Sequence, residues 1–371
     1  MRLSESIDAG VSRQWQRSYD RMAPRPGPEG LAALQGEVNE VRATADDISR
    51  RMVEGTIAFP PFHPMIVQAG LDKPLVGVTR ETIDAELKSQ LIDRILRTRR
   101  LLLGREEYLR AILHDRKMEI FWPDGMNNDM MQGGAGDCYL LAALYLLKKH
   151  PKGQMVITDN IFFDENNGAW RVSPMGAEDE SVITLNQDKL YELELAGKAL
   201  RVGSLGDRLI ERAYAELVDR RHRRKGKMEG LELVNGERMA FEGGASVHVF
   251  RDLAGDRMKT RVLDADEAVD TFFRMEQDNL LMVAGSYSLS EARRRGLNIQ
   301  PHSGSYPESV RYLVNDGAKQ HLLKGPHAYA IDQVFSQSVI LIDPHDTSRP
   351  IRMGIGAFKQ AFQSVQKGEL L

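Results

Sequence analysis

The only cysteine in the chain, Cys138, follows Gly136-Asp137 in "MMQGGAGDCYLLAALYLLKKHP", residues 130–151. From Tyr139 to Leu147 this stretch is almost wholly apolar, the mark of a helix buried on every side. Its ends are signalled too. Asp137 suits an N-cap, and Lys148, Lys149 and His150 crowd the last turn before Pro151 stops it. Cys138 is then the first helical residue. There, unpaired backbone N–H groups and the positive end of the helix dipole favour thiolate over thiol, and thiolate is the nucleophile. The glycines of "GGAG" let backbone approach closely and leave room for a substrate chain. A free cysteine is also a small hydrophobe, most often buried and inert. On local grounds the two readings are evenly matched, and a base must decide between them.

Among the nine histidines, His63, His222, His248, His302 and His321 have no acidic or sulfur neighbour at ligand spacing and read as surface or loop residues. His327 differs. It opens the strand-like run "HAYAIDQVF" (327–335) right after Gly325-Pro326, and the next such run, "SVILIDP" (338–344), ends at Asp343-Pro344. If the two runs form an antiparallel hairpin, His327 and Asp343 face each other when the loop centres on Phe335. The most turn-like residues, Ser336 to Ser338, centre slightly later, so a bulge or diagonal pairing is an equal expectation. Either way an imidazole and a carboxylate meet at one end of a sheet. The histidine would take the thiol proton while the carboxylate orients its ring. Taken singly, His327 could equally be a satisfied edge-strand residue and Asp343 a turn former before proline.

The elements that must position these groups change character along the chain. Residues 1–23 and 31–56 read as helical, separated by "PRPGPEG". "AFPPFHP" (58–64) reads as an extended link. A long helix is expected from Thr79, its cap, with Glu81 in its first turn and Ile83, Leu87, Leu91, Ile92, Ile95 and Leu96 at helical spacing. Gly104 is expected to end or bend it, and a boundary is expected near "FWPDG". "NIFFDENNGAWRVS" (160–173) reads as a hairpin turning at Asn-Gly. "DRLIERAYAELVDRR" (207–221) is helical, and "NLLMVAGS" (279–286) is a strand. The order is helical, then mixed, then β-rich, with no internal repeat of 20–50 residues and no low-complexity tract.

A chain of 371 residues suggests two or three domains. Its formal net charge of -3 points to no polyanionic partner. No apolar run reaches eighteen residues, which argues against a membrane span. The polar start "MRLSESIDAGVSRQWQRSYDR" has no hydrophobic signal core. One cysteine excludes intrachain disulfides and cysteine-rich zinc sites.

With these residues in view, the chain resembles the protease core of the calpain family of papain-type cysteine peptidases. The family's nucleophile motif, Gln-Gly-x-x-Gly-Asp-Cys-Trp before an apolar helix, is matched by "QGGAGDCY" with Gln132 six positions ahead of Cys138. "IFFDENNGAW" resembles its aromatic hairpin. "LIERAYAEL" and "EGGASVHVFRDLAG" resemble its Glu-Lys-Ala-Tyr helix and Gly-Gly segment, and "KGPHAYAI" resembles its Gly-His-Ala-Tyr strand. The resemblance covers roughly residues 121–365 and implies roles for them. Cys138 attacks the scissile carbonyl and becomes acylated. His327 is base, then acid. The Gln132 side chain, with the backbone N–H of Cys138, stabilises the oxyanion. The family has Asn-Pro-Trp where this chain has "IDPH", so Asp343 stands at the asparagine position and His345 at that of the tryptophan. Tyr139 replaces the tryptophan after the cysteine. Asp343 should orient an imidazolium as well as asparagine does, so activity is expected to survive, while these replacements make the cleft walls uncertain in shape.

Calpains are gated by calcium, yet the chain has no twelve-residue EF-hand loop, and "DENNG" is better explained as a turn. Calcium is therefore expected to be unnecessary, and no other cofactor or metal is expected. "RRHRRKGK" (220–227) could suit nucleic acid or an acidic membrane; with no interleaved aromatics it reads as a solvated loop. "GSYSLS" (285–290) lacks the elbow pattern of a serine nucleophile, and Trp122 reads as a packing anchor. The expected fold class is α+β: a papain-like peptidase with a helical N-terminal extension (1–120), a helical subdomain carrying Cys138 (121–254) and a β-rich subdomain carrying His327 and Asp343 (255–371). The expected activity is endopeptidase action on protein substrates, in the cytoplasm or as an effector delivered without a signal peptide, with the extension blocking the cleft, docking a target or recruiting a delivery partner. The rival readings are an inactive interaction scaffold and a Cys-His-Asp acyltransferase or amide hydrolase.

Overall fold

The computed structural model describes residues 28–53, 85–126, 130–164, 167–176, 182–186, 189–190, 198–224, 231–232, 238–239, 243–272, 274–275, 279–301 and 308–371. The expected helix at 1–23, the link at 58–64, the Thr79 cap with Glu81 and Ile83, His63 and His302 lie outside the described residues. The chain divides into two compact units, Met1–Lys117 and Met118–Leu371.

In the first unit, helix α1 (Pro28–Val53) begins at a proline, which suits the first helical position because its missing N–H would have no intrahelical partner. Leu31, Leu34, Val38, Val41 and Ala45 are buried, a 3-4 repeat that lines one helix face. Helix α2 (Ala85–Phe121) runs through Gly104 without a break. The expectation of an end or bend there is corrected: one glycine costs about 1 kcal/mol in a helix interior, and the neighbouring helix formers outweigh it. Arg42 on α1 donates to Glu106 on α2 at 3.2 Å.

The second unit opens with Trp122, which donates its indole N–H to Asp207 at 3.0 Å and is a packing anchor. Helices α3 (Cys138–Lys149) and α4 (Pro151–Asp159) follow, split at His150 with Pro151 at the start of α4. Strands β1 (Ile161–Asp164) and β2 (Ala169–Val172) form the hairpin expected from Asn-Gly, in the register Asp164 to Ala169, and β3 (Ile183–Leu185) joins β2. Helix α5 (Leu205–Arg224) carries the "LIERAYAEL" segment. After the short pair β4 (Leu231–Glu232) and β5 (Arg238–Met239) comes helix α6 (Ser246–Ala254).

The rest is β-rich: β6 (Met258–Leu263), α7 (Ala265–Phe272), β7 (Leu280–Ser286), α8 (Leu289–Arg294), β8 (Asn298–Gln300), β9 (Val310–Asp316), β10 (Lys319–Gly325), β11 (Ala328–Val334), β12 (Ser338–Asp343), β13 (Asp346–Gly354), α9 (Ile355–Ala361) and β14 (Phe362–Leu370). Six strands make one antiparallel sheet in the order β13-β12-β11-β7-β14-β6, and β10-β9-β8 make a second. β7 is apolar almost throughout and buried on both faces, because the sheet's second face is covered too. Helix α3 covers that face, packing on β11 and β7. Tyr329, Met282, Phe358 and Phe362 belong to the core on the other side. The chain is thus α+β, and the helix that begins at Cys138 lies on β7 and on β11, the strand that follows His327.

Candidate active site

Cys138 is the first residue of α3 and only partly buried. Asp137 holds the N-cap position, yet its side chain makes no cap hydrogen bond. It is fully buried and hydrogen-bonds instead with Glu211 on α5, whose carboxyl is pushed well above the usual range by burial and by the charge of Asp137. Glu211 also accepts from Leu200 N–H at 3.0 Å. The turn that leads into Cys138 is therefore tied from beneath to α5 and the segment before it.

The loop ahead of Cys138 is held from several directions. Met131 N–H donates to Val202 O at 3.0 Å, and Arg201 N–H donates to Met131 O at 2.8 Å. Gly133 lies so close to Ala199 that an added Cβ would stand 1.8 Å from its carbonyl oxygen, so this glycine serves close backbone approach. Gln132 N–H donates to Pro344 O at 2.8 Å, which joins the nucleophile loop to the residue after Asp343. The Gln132 side chain is buried and its Nε2 donates to Ala135 O at 2.6 Å.

His327 precedes β11 and Asp343 ends β12. The β11–β12 ladder shifts register between Ile331 and Gln333, so that Ala330 pairs with Ile342. Continuing that register puts Asp343 level with Tyr329 rather than His327, and the two meet diagonally, with His327 Nε2 2.8 Å from Asp343 Oδ1. Cys138 acts electrostatically on the His327 ring as well. Burial opposes a charge on the His327 ring, but the negative charge of Cys138 and the hydrogen bond to Asp343 outweigh it and push the pKa up to about 9. Asp343 is partly desolvated, yet its bond to His327 and the positive charges of His327 and Lys324 hold it well below the usual carboxylate range. The structure thus brings Cys138, His327 and Asp343 together, with Gln132 in the loop beside them.

Two further residues adjoin Asp343, of which only Lys324 escaped the sequence reading. Lys324 Nζ lies 3.2 Å from Asp343 Oδ2. His345 stacks on His327, with ring centroids 5.0 Å apart and planes 17° apart, and its backbone N–H donates to Asp343 Oδ1 at 2.9 Å. The aromatic cover over His327 is therefore present in a smaller ring. Tyr139, in contrast, is buried and packs edge-on against Tyr214, so it belongs to the core beneath the site. Lys324 could have been suspected from "KGPHAYAI" only with the fold in hand.

The side chains of His327, Asp343 and His345 offer ligand atoms within 4.8 Å of one another. Both oxygens of Asp343 are already engaged, by His327 and Lys324. Two imidazoles and one carboxylate are also unlike the six to eight oxygens that calcium takes. These residues do not fit a calcium site.

A family model for the calpain family cysteine proteases matches residues 102–352, from within α2 to within β13. The chain belongs to that family. It is a calpain-like cysteine protease, a hydrolase. No curated protein matches it.

The remaining residues weighed in this calpain-family chain have simpler duties. Ser286, at the end of β7, uses its hydroxyl on backbone, donating to Lys324 O at 2.7 Å and accepting from His327 N–H at 2.9 Å. In the described part of the basic run (220–224), Arg220 pairs with Glu216, Arg221 with Asp252 and Arg223 with Asp219. His321, expected to lack an acidic neighbour, pairs with Asp316 at 3.2 Å, because the β9–β10 hairpin brings that carboxylate alongside. His248 is exposed and His222 half-buried. Among the described residues, no helix is long and apolar enough to cross a membrane.

Proposed function

We propose that this chain is an endopeptidase that cleaves protein substrates through Cys138, His327 and Asp343 by way of an acyl-enzyme. The observation that carries the reading is the 2.8 Å contact of His327 Nε2 with Asp343, in a ring on which Cys138 acts electrostatically. With Nε2 given to Asp343, Nδ1 serves the sulfur. His327 takes the thiol proton, and the thiolate forms a bond to the scissile carbonyl carbon. The oxyanion accepts from the backbone N–H of Cys138, which a first-turn residue leaves without an intrahelical partner, and from the second amide N–H of Gln132. The C–N bond breaks as His327 gives its proton to the leaving amine. Water then attacks the thioester, His327 takes its proton, and the carboxylic product leaves.

A papain-like cleft belongs to the same proposal, with α3 on one side and the six-stranded sheet on the other. Asp343 steadies the imidazolium by charge as well as by orientation. Because the His327 pKa is raised to about 9, the ring stays protonated through neutral pH. Turnover should fall as the pH rises through that value and the proton for the leaving amine is lost.

Incubation with a denatured protein library, followed by mass spectrometry of new N-termini, tests the reading. New termini should appear with the wild type and not with Cys138→Ala. Acyl transfer to added amines without cleavage would favour the transferase reading, and no covalent chemistry at all would favour a scaffold.

A further inference from the structure

Asp343 presents two oxygens to two cations. Oδ1 faces His327 at 2.8 Å and Oδ2 faces Lys324 Nζ at 3.2 Å. The carboxylate is 15% exposed and the Lys324 side chain 37%, so the pair sits at the rim of the site.

The backbone of Lys324 is pinned from both sides. Its N–H donates to Tyr329 Oη at 2.9 Å and its C=O accepts from Ser286 Oγ at 2.7 Å. Tyr329 packs edge-on against the His327 ring, and Ser286 Oγ accepts from His327 N–H. The next residue, Gly325, approaches Tyr287 so closely that a Cβ would stand 1.9 Å from its carbonyl oxygen. Lys324 is therefore fixed to the same groups that fix His327.

We propose that Lys324 is a positioning residue that holds Asp343 ionised and in one orientation, so that the Asp343–Lys324 pair acts behind His327 as a nearly neutral orienting group. The inference rests on the peptidase reading and adds a member to that site. Without the ammonium, an uncompensated carboxylate would bind the imidazolium too tightly and oppose the thiolate. The other groups facing the pair are Cys138 at the start of α3, Tyr329 on β11 and His345 in the β12–β13 turn, with Arg201 acting on His345.

The test is the pH profile of kcat/KM in the full chain. Lys324→Met should move both limbs to higher pH, by roughly half to one unit given the partial exposure. Lys324→Arg should restore the profile. Asp343→Asn alone leaves the ammonium unbalanced and should move the alkaline limb down. The double variant Asp343→Asn with Lys324→Met should return to within about 0.3 unit of the wild type, because removing both charges of the pair cancels the two opposite shifts. A Lys324→Met profile that superimposes on the wild type, or a double variant displaced as far as Asp343→Asn alone, would overturn the proposal.

Nuclear magnetic resonance titration of the His327 ring reads the same displacement without turnover. If no peptide is cleaved but the ring titration moves in Lys324→Met, the peptidase reading fails and the pairing stands. If peptides are cleaved and neither the limb nor the ring moves, the pairing fails and the peptidase reading stands.

Discussion

His345 covers His327 as an imidazole kept neutral at ordinary pH. Burial, then the positive charges of His327 and Lys324, push its pKa down to about 4. An unfolded chain would protonate this ring near 6.5, so between 6.5 and 4 the unfolded state binds more protons and stability falls as the pH drops. His345→Phe keeps a ring face over His327 and removes that titration. Its melting temperature should fall less than the wild type's between pH 6.5 and pH 4, by a few degrees. Equal losses in thermal melts would contradict the assignment. Cys138, His327 and Asp343 could be picked out because each has a distinctive residue type beside a turn or helix-end signal. Lys324 acquires its place only from a contact made across strands, and no local spacing announces that, whereas His345 was marked by its position two residues after Asp343.

The helix behind Cys138 was legible as a buried element, since "YLLAALYLL" leaves no polar face for water. What surrounds it was not. Lys148 reads as one of three basic residues closing a helix, yet it is fully buried and bonds Asp207 on α5 at 2.9 Å, while Asp207 also accepts from Trp122. Its partner lies 59 positions away, beyond the reach of any periodicity. Lys149, by contrast, is exposed and pairs with Asp332. Lys148→Met should strand the Asp207 carboxylate and cost about 3–5 kcal/mol, read from urea unfolding monitored at Trp122. A loss below about 1 kcal/mol would show that the pair behaves as a surface salt bridge. The β11–β12 hairpin was legible to within one residue. The bulge after Ile331 that brings Asp343 diagonally to His327 depends on how β12 pairs on its other edge with β13, which the hairpin's own sequence does not specify.

At the scale of the whole molecule, the passage from helices to antiparallel sheet could be read from composition and turn residues, and it gives the α+β class. The sheet order could not. β7 lies between β11 and β14, strands contributed from far along the chain, and only burial on both faces hints at its central place. Calcium dependence is a property of this scale as well. Peptidase activity should persist in excess chelator, as expected from a sequence with no twelve-residue EF-hand loop; complete loss restored by calcium would contradict this. The central claim is that the sulfur of Cys138 reacts through the imidazole of His327. The most direct measurement is the rate at which an epoxysuccinyl peptide labels Cys138 near neutral pH, in the wild type and in His327→Ala. Labelling should be fast in the wild type and drop by about a hundredfold or more in the variant. Labelling no faster than that of a free thiol, and unchanged in His327→Ala, would contradict the account.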